Sequence, residues 1–80
     1  MNNSFDALKH SLRNRDEIER SKRCGCYCCT AVFDAEEIVE WADGGVTAVC
    51  PRCGTDAVIG DASGTVIENN VLKMMNKRYF

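Results

Sequence analysis

All six cysteines of this 80-residue chain fall in two short clusters, and thiols at such spacing are suited to metal binding. The clusters are Cys24-Gly-Cys-Tyr-Cys-Cys29 and Cys50-Pro-Arg-Cys53. A Cys-x-x-Cys turn, called a knuckle below, places two sulfurs on one side of a tight loop, and two knuckles complete a tetrahedron around one ion. Twenty residues separate the clusters, within the range typical of zinc ribbons. The spacing therefore predicts a four-cysteine metal site.

The chain has two cysteines more than such a site needs. The predicted ligands are Cys26, Cys29, Cys50 and Cys53. We choose Cys26 because Cys26 and Cys29 flank Cys28 with the required spacing, but Cys24 could substitute for Cys26. Cys24 and Cys28 could instead be free thiols, made reactive by the neighbouring cation. The interpretation we prefer is that they are bystanders.

Zinc is the expected metal, as one ion, because it is redox-inert and prefers tetrahedral thiolates. Iron, in a rubredoxin-like site or a cluster, is the alternative. Disulfides would need an oxidising compartment, and the polar start Met-Asn-Asn-Ser-Phe-Asp shows no secretory signal. No apolar run approaches the length of a membrane span. We therefore expect a cytoplasmic protein with no membrane association.

A chain of 80 residues forms one small domain with a limited core, so a metal is expected to supplement its stability. The predicted fold class is α+β, with a small zinc-ribbon-like core of two knuckles and a short β-hairpin. The predicted parts are a helical arm over 1–23, the ribbon over 24–60 with a helix at 35–42, and a C-terminal helix over 66–79.

The N-terminal arm reads as two helical pieces, although one kinked helix fits nearly as well. The first piece, over 4–13, has Ser4 as N-cap and apolar residues at helical spacing, namely Phe5, Leu8 and Leu12. The second, over 15–22, begins with a capping-box pattern, Asn14-Arg-Asp-Glu17. Ile18 is its only apolar residue.

The helix over 35–42 has the best local signals in the chain. Asp34 is the predicted N-cap, and Glu37 completes a capping box. Phe33 and Ile38 occupy the two positions of a hydrophobic staple around that cap.

Strand signals surround the second knuckle. The run over 46–50 is rich in β-branched residues, and Ala57-Val-Ile59 reads as a returning strand. These two runs predict a hairpin with the second knuckle at its tip. The helix over 66–79 has a capping-box pattern at Thr65 and Glu68, with Glu68–Asn70 as an alternative start.

The cysteines also belong to a longer pattern. It comprises Cys-Gly-Cys-x-x-Cys, then Phe33-x-x-x-Glu-Ile-x-x-Trp41, then Asp43-x-Gly-x-Thr-Ala-x-Cys-Pro-x-Cys-Gly-x-Asp-x-Val-Ile-Gly-x-x-Ser-Gly64. The pattern resembles a family of small, uncharacterised bacterial cytoplasmic zinc-ribbon proteins over residues 14–80. The resemblance implies a single-domain zinc-binding protein and no particular activity.

Two positions depart from that family pattern. Cys28 stands where the family has an aromatic residue, which suggests that Cys28 is not a required ligand. Val66 stands where a proline is expected, which leaves the entry to the last helix open. Cys24 belongs to the pattern, so it stays an alternative to Cys26.

No catalytic constellation is visible, and we predict that the protein is not an enzyme. Four cysteines favour a closed structural site, whereas catalytic zinc keeps one position for water. Asp56, Asp61 and Ser63 follow the second knuckle, where turn chemistry explains them. His10 is expected to be an exposed helical residue, with a role as ligand or base as its alternative.

Three functions remain, in order of preference. The first is a protein-interaction or regulatory module, in which Trp41 is either an interface hot spot or part of the core. The second is nucleic-acid binding through a basic N-terminal helix that carries Lys9, Arg13, Arg15, Arg20, Lys22 and Arg23. The third is thiol redox or metal sensing by Cys24 and Cys28. Self-association is compatible with the first.

Charge is distributed unevenly along the chain. Residues 1–25 carry six Lys or Arg against four acids, whereas residues 26–70 carry only Arg52 against eight acids. Residues 71–80 carry three bases and no acid. A net charge of −2 is unlike the strongly basic footprint of a nucleic-acid-binding domain. We interpret the two basic ends as solvated helix faces, with two locally basic binding faces as the alternative.

Overall fold

The computed structural model of the chain describes residues 7–80, with side chains from residue 9 onward. It confirms the α+β class. The helices and strands, in chain order, are α1 (Ala7–Ser11), α2 (Arg15–Glu19), β1 (Arg23–Cys26), β2 (Val32–Asp34), β3 (Trp41–Ala42), β4 (Thr47–Ala48), β5 (Val58–Gly60) and α3 (Asn69–Tyr79). Short 3-10 helices at Ala35–Glu37 and Asp61–Ser63 follow β2 and β5. No helix in residues 7–80 has the length and apolar character needed to cross a bilayer.

The strands form two antiparallel sheets. One has the order β2-β1-β5, with Cys24 of β1 opposite Phe33 of β2 and Gly60 of β5. The other pairs β3 with β4. The hairpin that carries a knuckle is therefore β1–β2, and the first cysteine cluster forms its turn.

The prediction of a hairpin around the second knuckle is wrong. The run over 46–50 keeps only Thr47–Ala48 as a strand, and that strand pairs with β3. β5 pairs instead with β1, the strand that leads into the first knuckle. Both runs are short and apolar, so strand propensity alone could not distinguish these partners.

The predicted helix over 35–42 is also wrong. The capping box does form, and the N–H of Asp34 donates to Glu37 Oε2 at 3.0 Å. However, only one 3-10 turn follows, and Ile38 is already extended. Pairing of Trp41–Ala42 with β4 requires an extended chain, and β-branched Ile38 and Val39 weakly oppose a helix.

Asn14 has a tertiary role in place of the predicted capping box. It is buried, and its side chain makes no cap hydrogen bond within the described residues. Its Nδ2 donates to the carbonyl of His10 at 3.0 Å and to that of Val58 at 2.8 Å. Its Oδ1 accepts the N–H of Ala48 at 3.0 Å. One amide thus joins α1, β4 and β5.

The N-terminal arm forms two separate short helices, so the two-piece prediction is confirmed over the described residues. Both are shorter than predicted, because α1 ends at Ser11 and α2 at Glu19. Leu12 lies after α1 and is 47% exposed, so its assignment to the apolar helical face is wrong. Ser4 and Phe5 lie outside the described residues, as does the side chain of Leu8.

Helix α3 begins at Asn69 with Glu68 as its N-cap, as the alternative start predicted. The capping box at Thr65 is wrong, because Glu68 is itself extended (φ −136°, ψ 152°). The helix packs on β1 at Gly25, where a Cβ atom would lie 2.6 Å from Leu72 Cδ1. Gly25 therefore serves helix–sheet packing, not the knuckle turn that its place in the first cysteine cluster suggests.

The buried side chains form one cluster drawn from both ends of the chain. Its largest fully buried members are Ile18 of α2, Val58 and Ile59 of β5, and Leu72 of α3. Cys24, Cys26 and Cys50 are buried in the same cluster. Both knuckles of the candidate site therefore reach the core through their first cysteine, Cys26 or Cys50.

Candidate metal centre

The four predicted ligand sulfurs lie together. Each Sγ of Cys26, Cys29, Cys50 and Cys53 is within 4.8 Å of the others. The Cys26–Cys53 and Cys29–Cys50 Sγ pairs are each 3.7 Å apart. A tetrahedron with metal–sulfur bonds of about 2.3 Å has edges of about 3.8 Å. The donor type and the spacing fit a tetrahedral ion, so this group could hold a metal.

Each knuckle directs a backbone N–H at its first sulfur. The N–H of Cys28 donates to Cys26 Sγ at 3.3 Å, and the N–H of Arg52 donates to Cys50 Sγ at 3.3 Å. Such bonds favour the thiolate over the thiol, and the thiolate is the form that binds metal.

Each knuckle also closes with the same backbone turn. The N–H of Thr30 donates to the carbonyl of Cys26 at 2.8 Å, and that of Gly54 to Cys50 at 3.0 Å. Both closing residues have positive φ, 65° for Thr30 and 78° for Gly54. Glycine adopts this conformation freely, whereas a β-branched residue there is strained. The Thr30 hydroxyl donates to the Cys29 carbonyl at 2.6 Å, which offsets part of that strain.

Helix α3 holds the first knuckle through two asparagines. Asn76 Nδ2 donates to the carbonyls of Tyr27 at 3.1 Å and Cys28 at 2.9 Å. Asn69 Nδ2 donates to the Thr30 carbonyl at 2.8 Å. Our sequence analysis missed both residues. Their spacing of seven puts them on one helical face, which is the only signal that could have indicated them.

Aromatic side chains also pack the C-terminal end of the chain against the first knuckle. Tyr27, inside the first knuckle, is 3% exposed, and its ring centroid lies 5.7 Å from those of Tyr79 and Phe80. Its hydroxyl shares a hydrogen bond with Ser11 at 2.9 Å. The first knuckle is therefore enclosed between α1 and α3.

The last cysteine of the second knuckle is the most solvent-exposed of the four candidate ligands. Cys53 is exposed, whereas Cys26 and Cys50 are buried. The N–H of Cys50 donates to the Thr55 carbonyl at 2.9 Å, which closes the loop locally. Arg52 forms an exposed ion pair with Glu37 at 2.7 Å, the contact that links this knuckle to the segment after β2.

The pKa is shifted for three of the candidate ligand thiols. Burial raises the pKa of Cys26 and Cys29 above the usual thiol range. Burial also raises the pKa of Cys53, but hydrogen bonds from Thr55 and from the neighbouring thiols outweigh it and lower the value to about 6. Metal binding requires thiolates, so binding of an ion would release protons from the thiols whose pKa is raised.

The two surplus cysteines lie outside the four-sulfur group. Cys24 is fully buried in β1, and burial, with smaller contributions from Asp61 and Asp34, raises the pKa of its thiol to about 12. A thiol in this state is a poor nucleophile. The structure thus does not bring Cys24 to the position of a substitute ligand. Cys28 is half-buried, and its backbone rather than its sulfur serves the site.

The polar residues after the second knuckle have structural contacts. Asp61 accepts the backbone N–H groups of Lys22 at 3.2 Å and Arg23 at 3.3 Å, which holds the start of β1. Ser63 Oγ donates to the Gly60 carbonyl at 2.6 Å, a local turn contact. His10 pairs with Glu17 at 2.9 Å and lies outside the cysteine group.

Trp41 and the basic residues are distributed over several elements. Trp41 is half-buried against the core, and the Arg15 guanidinium lies 4.4 Å from the centroid of its ring system. The six basic residues proposed for nucleic acid are exposed, but they are divided among α1, α2, β1 and the segments between them. No single basic helix joins them within residues 7–80.

No protein-family model, curated protein or solved structure matches the chain. The resemblance to small bacterial zinc-ribbon proteins therefore stays an expectation from the sequence pattern. What the geometry itself supports is a small α+β protein with four clustered cysteines that could hold a metal ion.

Proposed function

We propose that this chain is a cytoplasmic protein-interaction module whose fold is stabilised by one structural zinc ion. The observation that carries the proposal is the four-cysteine group, with two Sγ–Sγ edges of 3.7 Å. Four thiolates leave no coordination position for water, so the ion would be structural. The six cysteines are unpaired with one another, which fits a reducing compartment.

Metal analysis and thiol counting on the purified protein test the zinc part. We expect one zinc ion per chain and four thiols protected from alkylation until a chelator is added. Cys28 should react in the zinc-loaded protein, whereas buried Cys24 should react only on unfolding. A coloured centre with one iron ion per chain would show that the metal is iron and not zinc. Three disulfides and no metal would overturn the proposed metal site.

The interaction part has support from the surface. Several large apolar side chains are exposed, including Val39 (85%), Val66 (61%), Met74 (70%) and Phe80 (66%). Single exposed apolar residues are ordinary, but each of these side chains is accessible to a partner protein. Because a four-thiolate site has no open coordination position, the metal would not react with a substrate, and recognition of a partner by the surface is the function that we propose.

Affinity capture with the zinc-loaded chain tests this part, with a surface variant as control. A partner protein retained at micromolar concentration by wild type and lost on Val39→Lys or Met74→Lys would support the proposal. The chain could instead retain a nucleic acid that is released at a salt concentration of about 300 mM, because salt weakens contacts to phosphates. That result would favour nucleic-acid binding.

A further inference from the structure

An open groove lies between α2, the first 3-10 helix and β3. Its volume is about 300 Å³. Its lining consists of Ile18, Glu19, Ser21, Ala35, Glu36 and Trp41. This is the lower end of the size range of ligand pockets, about 300–1,000 Å³, and it suits one long side chain rather than a cofactor.

The groove combines an apolar base with an acidic rim. Ile18 is 2% exposed and belongs to the core, and Ala35 and Trp41 pack against that core. Ser21 already donates to the Glu17 carbonyl at 2.8 Å and accepts the Ala62 N–H at 3.0 Å. The carboxylates are therefore the polar groups left to orient a ligand.

The two carboxylates differ in what they contact. Glu19 pairs with Arg15 at 3.2 Å on the surface. Glu36 is exposed, and within residues 7–80 it has no ion pair or side-chain hydrogen bond. The rim thus has one carboxylate available for a cation from outside.

The chain itself already places a cation over one residue of the groove lining, Trp41. The Arg15 guanidinium lies 4.4 Å from the centroid of the Trp41 ring system and donates to the Gly45 carbonyl at 2.7 Å. A cation over an indole face is attracted by the ring's negative electrostatic potential. The contact shows that the Trp41 ring accepts a cation on one face.

We propose that this groove binds a lysine or arginine side chain from a basic segment of a partner protein. The aliphatic stem would lie along Ile18, Ala35 and Trp41, and the cationic head would reach Glu36. Charge on one side of the groove supports the choice, because residues 34–43, which supply Ala35, Glu36 and Trp41 to the lining, carry five acids and no base and would attract such a segment. The opposite side, residues 15–23, carries four Lys or Arg, so the cationic head is directed to Glu36. The proposal names the partner chemistry of the interaction module and so rests on that proposed function.

Trp41 is the only tryptophan of the chain, so its fluorescence reports on this groove directly. The probe is an acetylated, amidated tetra-lysine peptide, titrated into the zinc-loaded protein at low salt. We expect a saturable change in tryptophan emission that weakens as salt is raised. The same peptide with every ammonium group acetylated is the matched control, and it should cause no saturable change.

Two charge-matched variants locate the binding. Glu36→Gln should raise the Kd by about threefold to fivefold, the range expected for a partly exposed charge pair. Glu68→Gln removes one exposed acid at the start of α3, outside the groove lining, and should change the Kd by less than about 1.5-fold. Zinc content and circular dichroism should match wild type in both.

Three results would overturn the inference. They are no emission change with folded, zinc-loaded protein up to millimolar peptide, equal binding of the acetylated control, and equal weakening by the two variants. Equal weakening would mean diffuse attraction to an acidic surface. If the Glu36→Gln variant still retains a protein partner in affinity capture, the proposal of an interaction module stands and only the proposal of the groove as its binding site fails. The two proposals are therefore distinguishable.

Discussion

The two knuckles share one backbone design but obtain it in different ways. In each knuckle, the backbone N–H of the residue two positions after the first cysteine donates to that cysteine's Sγ at 3.3 Å, and a residue with positive φ closes the turn. The first knuckle closes with Thr30, for which that conformation is strained, and α3 holds it through Asn76. The second closes with Gly54, for which the conformation is easy, and within the described residues no side chain of α3 donates a hydrogen bond to it, although its Cys50 is buried in the core.

The difference shows two routes to the same metal-binding turn. Tertiary contacts can impose a turn on residues that do not prefer it, as at Thr30. Alternatively, a local sequence can prefer the turn, as Cys50-Pro-Arg-Cys-Gly54 does through proline and glycine. The first knuckle should therefore persist without metal better than the second, and the experiments below test this asymmetry.

Metal removal should have the largest effect. A structural zinc ion contributes about 10–16 kcal/mol of apparent binding free energy in small domains, so chelation should strongly destabilise the chain. The Thr30 and Gly54 amides occupy equivalent positions and provide matched hydrogen-exchange probes. At a chelator concentration at which circular dichroism still shows a folded chain, Gly54 should lose at least about tenfold more protection than Thr30, roughly 1.4 kcal/mol. Equal losses would mean that α3 does not hold the first knuckle.

Removal of the Asn76 amide should come next. Asn76→Ala leaves the Tyr27 and Cys28 carbonyls without their donor in a part-buried place, which should lower the free energy of unfolding by about 1–3 kcal/mol. Asn70→Ala, an exposed asparagine of the same helix, is the control and should change it by less than about 0.5 kcal/mol. Chemical denaturation of the metal-loaded proteins measures both. A cost at Asn76 no larger than at Asn70 would contradict the proposed support.

Exchange of the closing residues should have a smaller and asymmetric effect. Gly54→Thr puts a β-branched residue at φ 78°, with no atom within 4 Å of the added Cβ, so conformational strain alone should cost about 1–2 kcal/mol.

Thr30→Gly relieves the corresponding strain but loses the Oγ1 hydrogen bond to Cys29 and adds chain entropy. The three contributions nearly cancel, and stability should stay within about 0.5 kcal/mol of wild type. Thermal unfolding of both variants checks the pair. A cost at Thr30 as large as that at Gly54 would refute the distinction between imposed and preferred turns.

Loss of the Arg52–Glu37 ion pair should have the smallest effect. Both side chains are substantially exposed, so Arg52→Ala should cost no more than about 0.5 kcal/mol, and less as salt is raised. Stability curves at low and high salt measure it. A cost above 1 kcal/mol, beyond the usual range for exposed pairs, would show that tertiary contacts hold the second knuckle as well.

The cysteine group could be predicted because its information is local. Cys-x-x-Cys spacing determines which two sulfurs share a turn, and the structure brings both predicted pairs together. The pairing of β5 with β1, rather than with the run before the second knuckle, was not local. It depends on Cys24 facing Phe33 on one side and Gly60 on the other.

Asn14 and the segment after Asp34 show why other predictions were wrong. Asn14-Arg-Asp-Glu17 carries a capping-box pattern, yet the Asn14 amide makes three long-range or inter-element hydrogen bonds instead. The Asp34 box did form, but strand pairing at Trp41 ended the helical turn. Local signals can start a turn, but competing tertiary contacts decide how far it continues.

The sequence by itself determined the donor atoms, their grouping in pairs and the α+β class, because these depend on residues close together in the chain. Tertiary structure alone decided that α3 supports the first knuckle, that Gly25 admits Leu72, and that Cys24 is buried away from the sulfurs. Those outcomes depend on close packing between residues far apart in sequence. Such packing selects one partner among several of similar propensity and leaves no local mark on the chain.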